Sequence, residues 1–395
     1  MPLKDNDPKK WEYKEHTRVK HKILEKYLKT WINILSNRYN KVCYFDCFAG
    51  RGRYTDEQEG SPIITLRVAS ELRRNRIHIG EIELTFIEKD INNYENLVQV
   101  VDEELRQNQN KYTGIKVKEP INDDFATVVP SLIQDYKKFP PSFFFIDPFG
   151  FKIPLKIIKD ILSIPKTEVF INFMIRDVNR FLGNENHQNS LEELFGLENV
   201  EDVLKKKFSN LDRESAILRL YIEQLHEHTG VHFTFPYKVN ADEKLQTTYY
   251  LIHATNNLKG CEVMKEIMYN TGTRGRFGYL GPAEGQMALV NFYDLSEFKN
   301  YIMEKFCEKT VSFENIRFET VNENPFLRRD YVEALRELEK EEKIWIEGKG
   351  KKGAIHDKSM INFKPNITGE IDQARVHCVQ TIHKSKPNQA SLMDF

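Results

Sequence analysis

The chain has 395 residues, 40% hydrophobic and 30% charged, a composition that supports a large buried core and excludes wholesale disorder or a fibrous protein. At about 100–200 residues per domain, the length predicts two or three domains. Lys plus Arg is 58 and Asp plus Glu is 59, so the net charge of -1 does not advertise a nucleic-acid binder, and only a locally positive patch would make one.

Residues 17–36, TRVKHKILEKYLKTWINILS, carry an amphipathic helix pattern whose apolar stripe is Ile23, Leu24, Tyr27, Leu28, Trp31 and Ile32. KVCYFDCF (41–48) reads as a buried strand that breaks into the glycine-punctuated loop AGRGRYTDEQEGSP, where Ser61 and Pro62 serve as cap and first residue of a helix to about Arg74. The alternation continues with a strand at 82–90, a helix at 91–107, a short strand at 115–118 and a helix at 123–137. SFFFID (142–147) and EVFINF (168–173) are apolar strands flanking a helix from Pro154 to about 162. A helix near 212–228 and strands near 231–237 and 247–254 follow. Strands bounded by helices, with central strands apolar on both faces, predict a doubly wound, Rossmann-like α/β sheet over residues 41–290, with 1–40 as a helical segment packed on it. The longest irregular stretch, 175–210, is expected to be an insertion after a strand's carboxyl end, either a lid or substrate loop or a decorative surface excursion.

Beyond residue 290 the period changes. Three helical segments, LSEFKNYIMEKFCEKT, SFENIRFETV and NPFLRRDYVEALRELEKEEK, precede IWIEG, a basic GKGKKGAIHD stretch and MINF, the order of a winged helix over 291–365. Residues 366–395 read as a polar tail. No stretch approaches the roughly 20 apolar residues of a membrane span, and the opening MPLKDNDPKKWEYK lacks the apolar core of a secretory signal. The 5 Cys are too few and scattered for a disulfide scaffold, and Cys43 and Cys47 lie in a strand-like run ill placed to chelate one ion. The expectation is a cytoplasmic protein with no metal centre and no membrane contact.

Chemistry concentrates at two strand ends. After the first strand, Asp46-Cys47-Phe48-Ala49-Gly50-Arg51-Gly52 leads into a helix, and Gly50 and Gly52 would let the backbone turn tightly against a nucleotide-like cofactor. Glu88 ends the second strand, where a carboxylate can accept from both ribose hydroxyls. Asn122, Asp123 and Asp124 follow the third strand, where a polar side chain can bond an adenine amino group; helix capping is the equally weighted alternative for each. The loop carries Asp56, Glu57 and Glu59, which argues against a pyrophosphate and for S-adenosylmethionine over NAD.

The run FFFIDPFGF (143–151) is the second strand end. Asp147 followed by Pro148 and an aromatic resembles the DPPY-type motif of amino-methyltransferases acting on bases. There, Asp147 would orient an exocyclic amine, Pro148 would stiffen the turn, and Phe149 or Phe151 would stack on an extruded base. Phe143, Phe144 and Phe145 read as core. The second Pro of DPPY is Phe149 here and the following aromatic is Gly150, which leaves the target atom open.

YFDCFAGRGRY, EGSP at 59–62, FFFIDPFGF, EVFINF, TRVKHKILEKYLKTW and YYLIHATNNLKGCEVMKEIMYN (249–270), with the winged helix, resemble the three-Cys-motif partner family, TcmP, over about residues 15–365. The resemblance implies a class I S-adenosylmethionine-dependent methyltransferase fold and a partner protein bearing a three-cysteine motif. It places Asp46, Gly50 and Gly52, with Phe48 between them, on the methyl-donor loop, Gly60, Ser61 and Pro62 on the turn into the first helix, and Glu88 on the ribose. It also puts His21 near the substrate pocket, where a packing histidine is equally expected. Arg51 stands where the family often has Pro.

For the winged helix, Arg328, Arg329, Arg336 and Lys340 on the third helix and Lys349, Lys351, Lys352 and His356 on the wing are the cationic candidates for nucleic acid. Asp330, Glu333, Glu337, Glu339, Glu341 and Glu342 oppose them, so protein docking stands beside DNA or RNA binding. Residues 343–395 hold nine Lys or Arg against five Asp or Glu, so the neutral total is a sum of opposed patches. The leading expectation is methyl transfer from S-adenosylmethionine to a nitrogen of a nucleic-acid base. The alternatives are a non-catalytic adaptor acting through its partner and a protein or small-molecule methyltransferase.

Overall fold

The structure, a computed structural model, describes residues 12–75, 80–108, 111–135, 139–240, 247–272, 278–279 and 295–365. The tail expected at 366–395 lies outside the described residues. In the first of two units, residues 1–292 and 318–329, strands β1 (Lys41–Asp46), β2 (Glu81–Phe86), β3 (Ile115–Val117), β4 (Ser142–Ile146), β5 (Thr167–Phe173), β6 (Phe233–Asn240), β7 (Thr247–Thr255) and β8 (Gly278–Tyr279) form one sheet. Its order is β3-β2-β1-β4-β5-β7-β6-β8. The first five strands run parallel, and β7 runs antiparallel between β5 and β6. This is the expected Rossmann-like α/β sheet. The order reverses between β1 and β4, which opens a crevice at their carboxyl ends.

Alternation along the central strands builds a core on each face. Phe143, Phe145 and Phe170 point to one face and meet α1 (Glu15–Ser36) and α2 (Ser61–Arg74). Phe144, Ile146, Val169 and Ile171 point to the other and meet α5 (Leu155–Leu162) and α9 (Arg213–Thr229). The three phenylalanines of β4 are wholly buried, so their reading as core holds.

Helix α1 is fastened to the sheet by a buried polar cluster. The Tyr27 hydroxyl donates to Glu168 Oε2 on β5, and His253 Nε2 on β7 lies 2.8 Å from the same oxygen. Tyr27 also lies edge-on to His253 at 5.0 Å. At helical spacing Lys20, Leu24, Tyr27 and Trp31 share one face, so fixing Tyr27 also fixes where Lys20 points.

Two local expectations are revised, and one element is added. Gly60, not Ser61, is the N-cap of α2, with Ser61 and Pro62 inside its first turn. Residues 175–210 are largely helical rather than irregular: α6 (Ile175–Phe181), α7 (Gln188–Phe195) and α8 (Val200–Lys207) send Leu191, Leu194, Phe195 and Val200 into the core. Short helices punctuated by Gly183 and Gly196 at positive φ hide their period in the sequence. The block around 249–270 contains a further helix, α10 (Leu258–Thr271), capped by Asn257. Between α2 and α9 the remaining helices are α3 (Ile91–Gln107) and α4 (Phe125–Asp135).

The second unit comprises residues 293–317 and 330–395. It takes in α11 (Leu295–Lys305), most of α12 (Phe313–Thr320) and of α13 (Arg328–Lys340), and strands β9 (Thr310–Ser312), β10 (Ile344–Glu347) and β11 (Met360–Phe363). The strands pair in the order β10-β11-β9, which adds one short strand to the expected winged helix. Phe298 packs edge-on to Tyr331 at 4.8 Å and Phe306 meets Phe363 at 5.6 Å, so the hairpin and helices share one small core. Among the described residues no helix is long and apolar enough to cross a membrane.

Candidate active site

The loop after β1 turns through Gly50 at φ 64° and Gly52 at φ 83°, left-handed conformations that favour glycine. The Gly60 N–H donates to the Gly52 carbonyl at 2.9 Å, closing the loop on itself. A Cβ on Gly60 would lie 2.7 Å from that carbonyl oxygen, so this crossing admits only glycine. Glu88, two residues beyond β2, accepts the Gly50 N–H on Oε2 and the Asp90 N–H on Oε1, each at 2.8 Å. Each carboxylate oxygen keeps further acceptor capacity for a hydroxyl. Burial raises the Glu88 pKa, with the two amides working against it. Phe48 sits beside Phe125, ring centroids 5.3 Å apart.

At the end of the third strand the capping alternative prevails for Asp124. Its Oδ1 accepts the Ala126 N–H at 2.7 Å at the start of α4, and its Oδ2 pairs with Lys89 at 2.7 Å. Asn122 donates to the carbonyls of Glu88 and Lys89 at 2.9 and 3.1 Å, which ties this turn to the turn after β2. Asp123 is exposed and accepts the Asp124 N–H at 2.6 Å.

One cleft of ≈ 310 Å³ runs from this glycine loop to the ends of β4 and β5 and is walled by the start of α1. Asp147 stands at its floor with both oxygens engaged: Oδ2 by the Lys20 ammonium and Oδ1 by Asn172 Nδ2 at 2.6 Å. The Lys20 and Asp147 side chains are 8% and 17% exposed, so water screens this pair far less than a surface ion pair. Unit charges about 4 Å apart near a protein surface interact by roughly 4 kcal/mol, enough to decide which charge the floor tolerates. Lys20 also lies 5.7 Å over the Tyr249 ring, and Tyr249 donates to the His16 carbonyl at 2.8 Å. Phe149 is 65% exposed at the rim, beside the buried Pro148. Gly150, at φ 107°, takes a backbone form that explains why the motif has no aromatic there.

Two buried titratable groups flank the floor. Asp46 is wholly buried, and burial raises its pKa to about 7, with the Ser61 side chain pulling down and the Asp147 charge pushing up. Because the folded value lies above the ordinary 3.8 of an aspartate, the native state keeps a proton that the unfolded chain has lost between those values. That stabilisation is fully present below the unfolded pKa and is lost as pH rises through about 7. Denaturant titrations at pH 5 and pH 8 should show stability falling by roughly 2–3 kcal/mol from this group, a fall that Asp46→Asn removes. An unchanged pH slope in the variant would reject the assignment. His21 is driven by burial, and then by Lys20, to a pKa of about 3, so it is neutral near pH 7. Its ring packs against Tyr13 and Tyr54 at 5.6 and 5.8 Å.

The cleft therefore gathers Phe48, Gly50, Gly52, Asp147, Pro148 and Phe149 from the residues singled out in the sequence, together with His21. Asp46 lies beneath it, and Glu88 reaches it through Gly50. Phe151 does not belong to it: it is buried against Phe181 and His187, at 5.7 and 6.0 Å, because the turn at Gly150 sends it into the core. Phe149 is left as the aromatic that can stack. Lys20, Asn172 and Tyr249 were not anticipated. The only trace of Lys20 in the sequence is a lysine on the apolar side of the α1 stripe, preceding Leu24 by four.

The cationic candidates of the C-terminal region divide. Arg328 and Arg329 open α13, and the Arg329 guanidinium lies 5.0 Å over the Tyr269 ring. Lys349 is held by both oxygens of Glu339 at 2.6 Å. Lys351 and Lys352 are exposed on the wing, the latter at φ 58°.

Residues 285–349 match the GMT-like wHTH domain family. No curated protein sequence matches the chain. The O-methyltransferase TomG from Streptomyces achromogenes, solved in complex with SAM, is 11% identical, with 59% of this chain and 80% of that one covered and a TM-score of 0.33. The O-methyltransferase from Bacillus cereus, in complex with SAH, is 12% identical over 59% of this chain and 80% of its own, at a TM-score of 0.32.

Proposed function

We propose that the chain is an S-adenosylmethionine-dependent methyltransferase acting on a nitrogen of a nucleic-acid base, with the winged helix recruiting the strand. The observation that carries this reading is a single cleft joining a Gly50–Gly52–Gly60 loop to an anchored Asp147 across the strand-order reversal. The cleft also holds buried polar atoms with no hydrogen-bond partner: His21 Nδ1, Asn172 Oδ1 and Thr248 Oγ1. Such atoms call for a polar ligand. The residues fit the cofactor in kind: Gly50 and Gly52 admit close backbone approach, and Glu88 offers acceptors to ribose hydroxyls. When bound, S-adenosylmethionine would supply a methyl group already activated by the sulfonium. The chain then has to position rather than activate: Asp147 holds the acceptor, Phe149 stacks on an extruded base, and His21, Tyr13 and Tyr54 exclude water on the α1 side.

Calorimetry with S-adenosylmethionine and S-adenosylhomocysteine tests the cofactor, and tritiated-methyl transfer to bulk RNA, bulk DNA and a three-cysteine-motif partner tests the acceptor. Binding without transfer to any of them would favour the adaptor reading. For recruitment, Lys351→Glu with Lys352→Glu should weaken binding to random-sequence nucleic acid about tenfold and reduce the salt slope by about 2. Lys349→Ala should change it far less, since Glu339 already neutralises Lys349. Affinity independent of salt would contradict phosphate contact by the wing.

A further inference from the structure

We infer that Lys20 sets the charge at the acceptor position, so that the acceptor is a group that reacts by surrendering a proton: a ring imide N–H of a base or, on the same strand, a ribose hydroxyl. This rests on the cofactor reading above. An exocyclic amine becomes cationic as it gains a methyl group, and an isolated Asp147 would favour that change. Asp147 is not isolated. Its Oδ2 carries the Lys20 ammonium and its Oδ1 the Asn172 amide, so the floor of the cleft presents an ion pair instead of a free carboxylate. The pair is largely buried, and α1 is fixed by the Tyr27–Glu168 contact, so Lys20 is held at the cleft floor. The Coulomb term that would help a cationic amine is cancelled, while an ammonium beside the acceptor favours negative charge building on it.

The rest of the floor matches such an acceptor. Lys20 is a donor for the atom that becomes anionic. Asp147 retains lone-pair capacity for the departing proton, and Asn172 Oδ1 is buried without a partner and can receive a neighbouring N–H. In the transfer, the electron pair of the acceptor's N–H or O–H bond becomes the new bond to the methyl carbon as the carbon–sulfur bond breaks onto sulfur. The proton passes to Asp147 and from there to water. The product is neutral, and the Lys20–Asp147 pair re-forms.

Sinefungin, in which an amine-bearing carbon replaces the methylated sulfur, probes the charge without any acceptor. The native chain should bind sinefungin more weakly than S-adenosylhomocysteine. Lys20→Met, which keeps the length of the side chain and frees Asp147, should shift the ratio of the two affinities towards sinefungin by about tenfold or more. Lys20→Arg should restore the native ratio, which a merely structural role for Lys20 would not require. A ratio unchanged in Lys20→Met, with both ligands bound, overturns the inference alone. Failure of the native chain to bind either ligand overturns the cofactor reading and the inference with it. Nucleoside analysis of methylated RNA and DNA separates the acceptors: methyl on an imide nitrogen or on ribose supports the inference, and N6-methyladenine or N4-methylcytosine overturns it.

Discussion

Asp147→Asn should lower methyl transfer by about two to four orders of magnitude while changing the affinity for S-adenosylhomocysteine only a few-fold. The substitution keeps the size of the side chain, and its carbonyl can still accept from Asn172, but it removes the negative charge that faces Lys20. It also takes away the base to which the acceptor would yield its proton. Removing one partner of a largely buried ion pair leaves the other charge uncompensated, so the variant should lose about 3 kcal/mol of stability. Combining it with Lys20→Met should recover most of that loss without restoring transfer. Single-turnover transfer, ligand calorimetry and denaturant titration together check the three parts. Transfer preserved in Asp147→Asn would remove this residue from the chemistry, whatever the stability does.

Gly60→Ala should abolish measurable cofactor binding in a chain that still folds. The new Cβ would meet the Gly52 carbonyl oxygen at 2.7 Å and its carbon at 3.1 Å, backbone atoms that cannot swing aside as a side chain can. Relief requires opening the Gly60 N–H to Gly52 hydrogen bond and moving Gly52, which already sits at φ 83° and whose own Cβ position lies 3.2 Å from Val100. The loop would then lose the close backbone approach that the cofactor needs. Because the clash is confined to the loop after β1, unfolding stability should fall by only about 1–2 kcal/mol. Calorimetry with S-adenosylhomocysteine is the readout, and near-native affinity would show that the loop is not the binding element.

The loop and strand ends were legible in the sequence because they are local. Left-handed turns favour glycine, a buried strand writes itself as a continuous apolar run, and a carboxylate after such a run marks the strand's end; Gly50, Gly52, Asp46 and Asp147 all announce themselves in this way. The winged helix was legible for the same reason, as helix periods followed by a hairpin with a charged tip. Phe149 and Phe151 could not be told apart, since which of two nearby aromatics turns outward depends on the φ of the glycine between them.

What the sequence determined by itself is the α/β sheet, the C-terminal winged helix and the two strand ends where chemistry can sit. Only the tertiary structure decided what those ends hold. Lys20 and Asp147 are 127 residues apart, and nothing local distinguishes a lysine that ends on a carboxylate from one that ends in water. The same applies to Arg329 over Tyr269 and to Lys349 held by Glu339: in the sequence each counts as one positive charge, and in the fold each already has a partner. Composition sums charges, whereas function depends on which of them packing leaves unpaired and which it turns towards the cleft. For this chain, a near-zero net charge proved compatible with a strongly polarised floor beneath one cleft, because α1, β4 and β5 meet there.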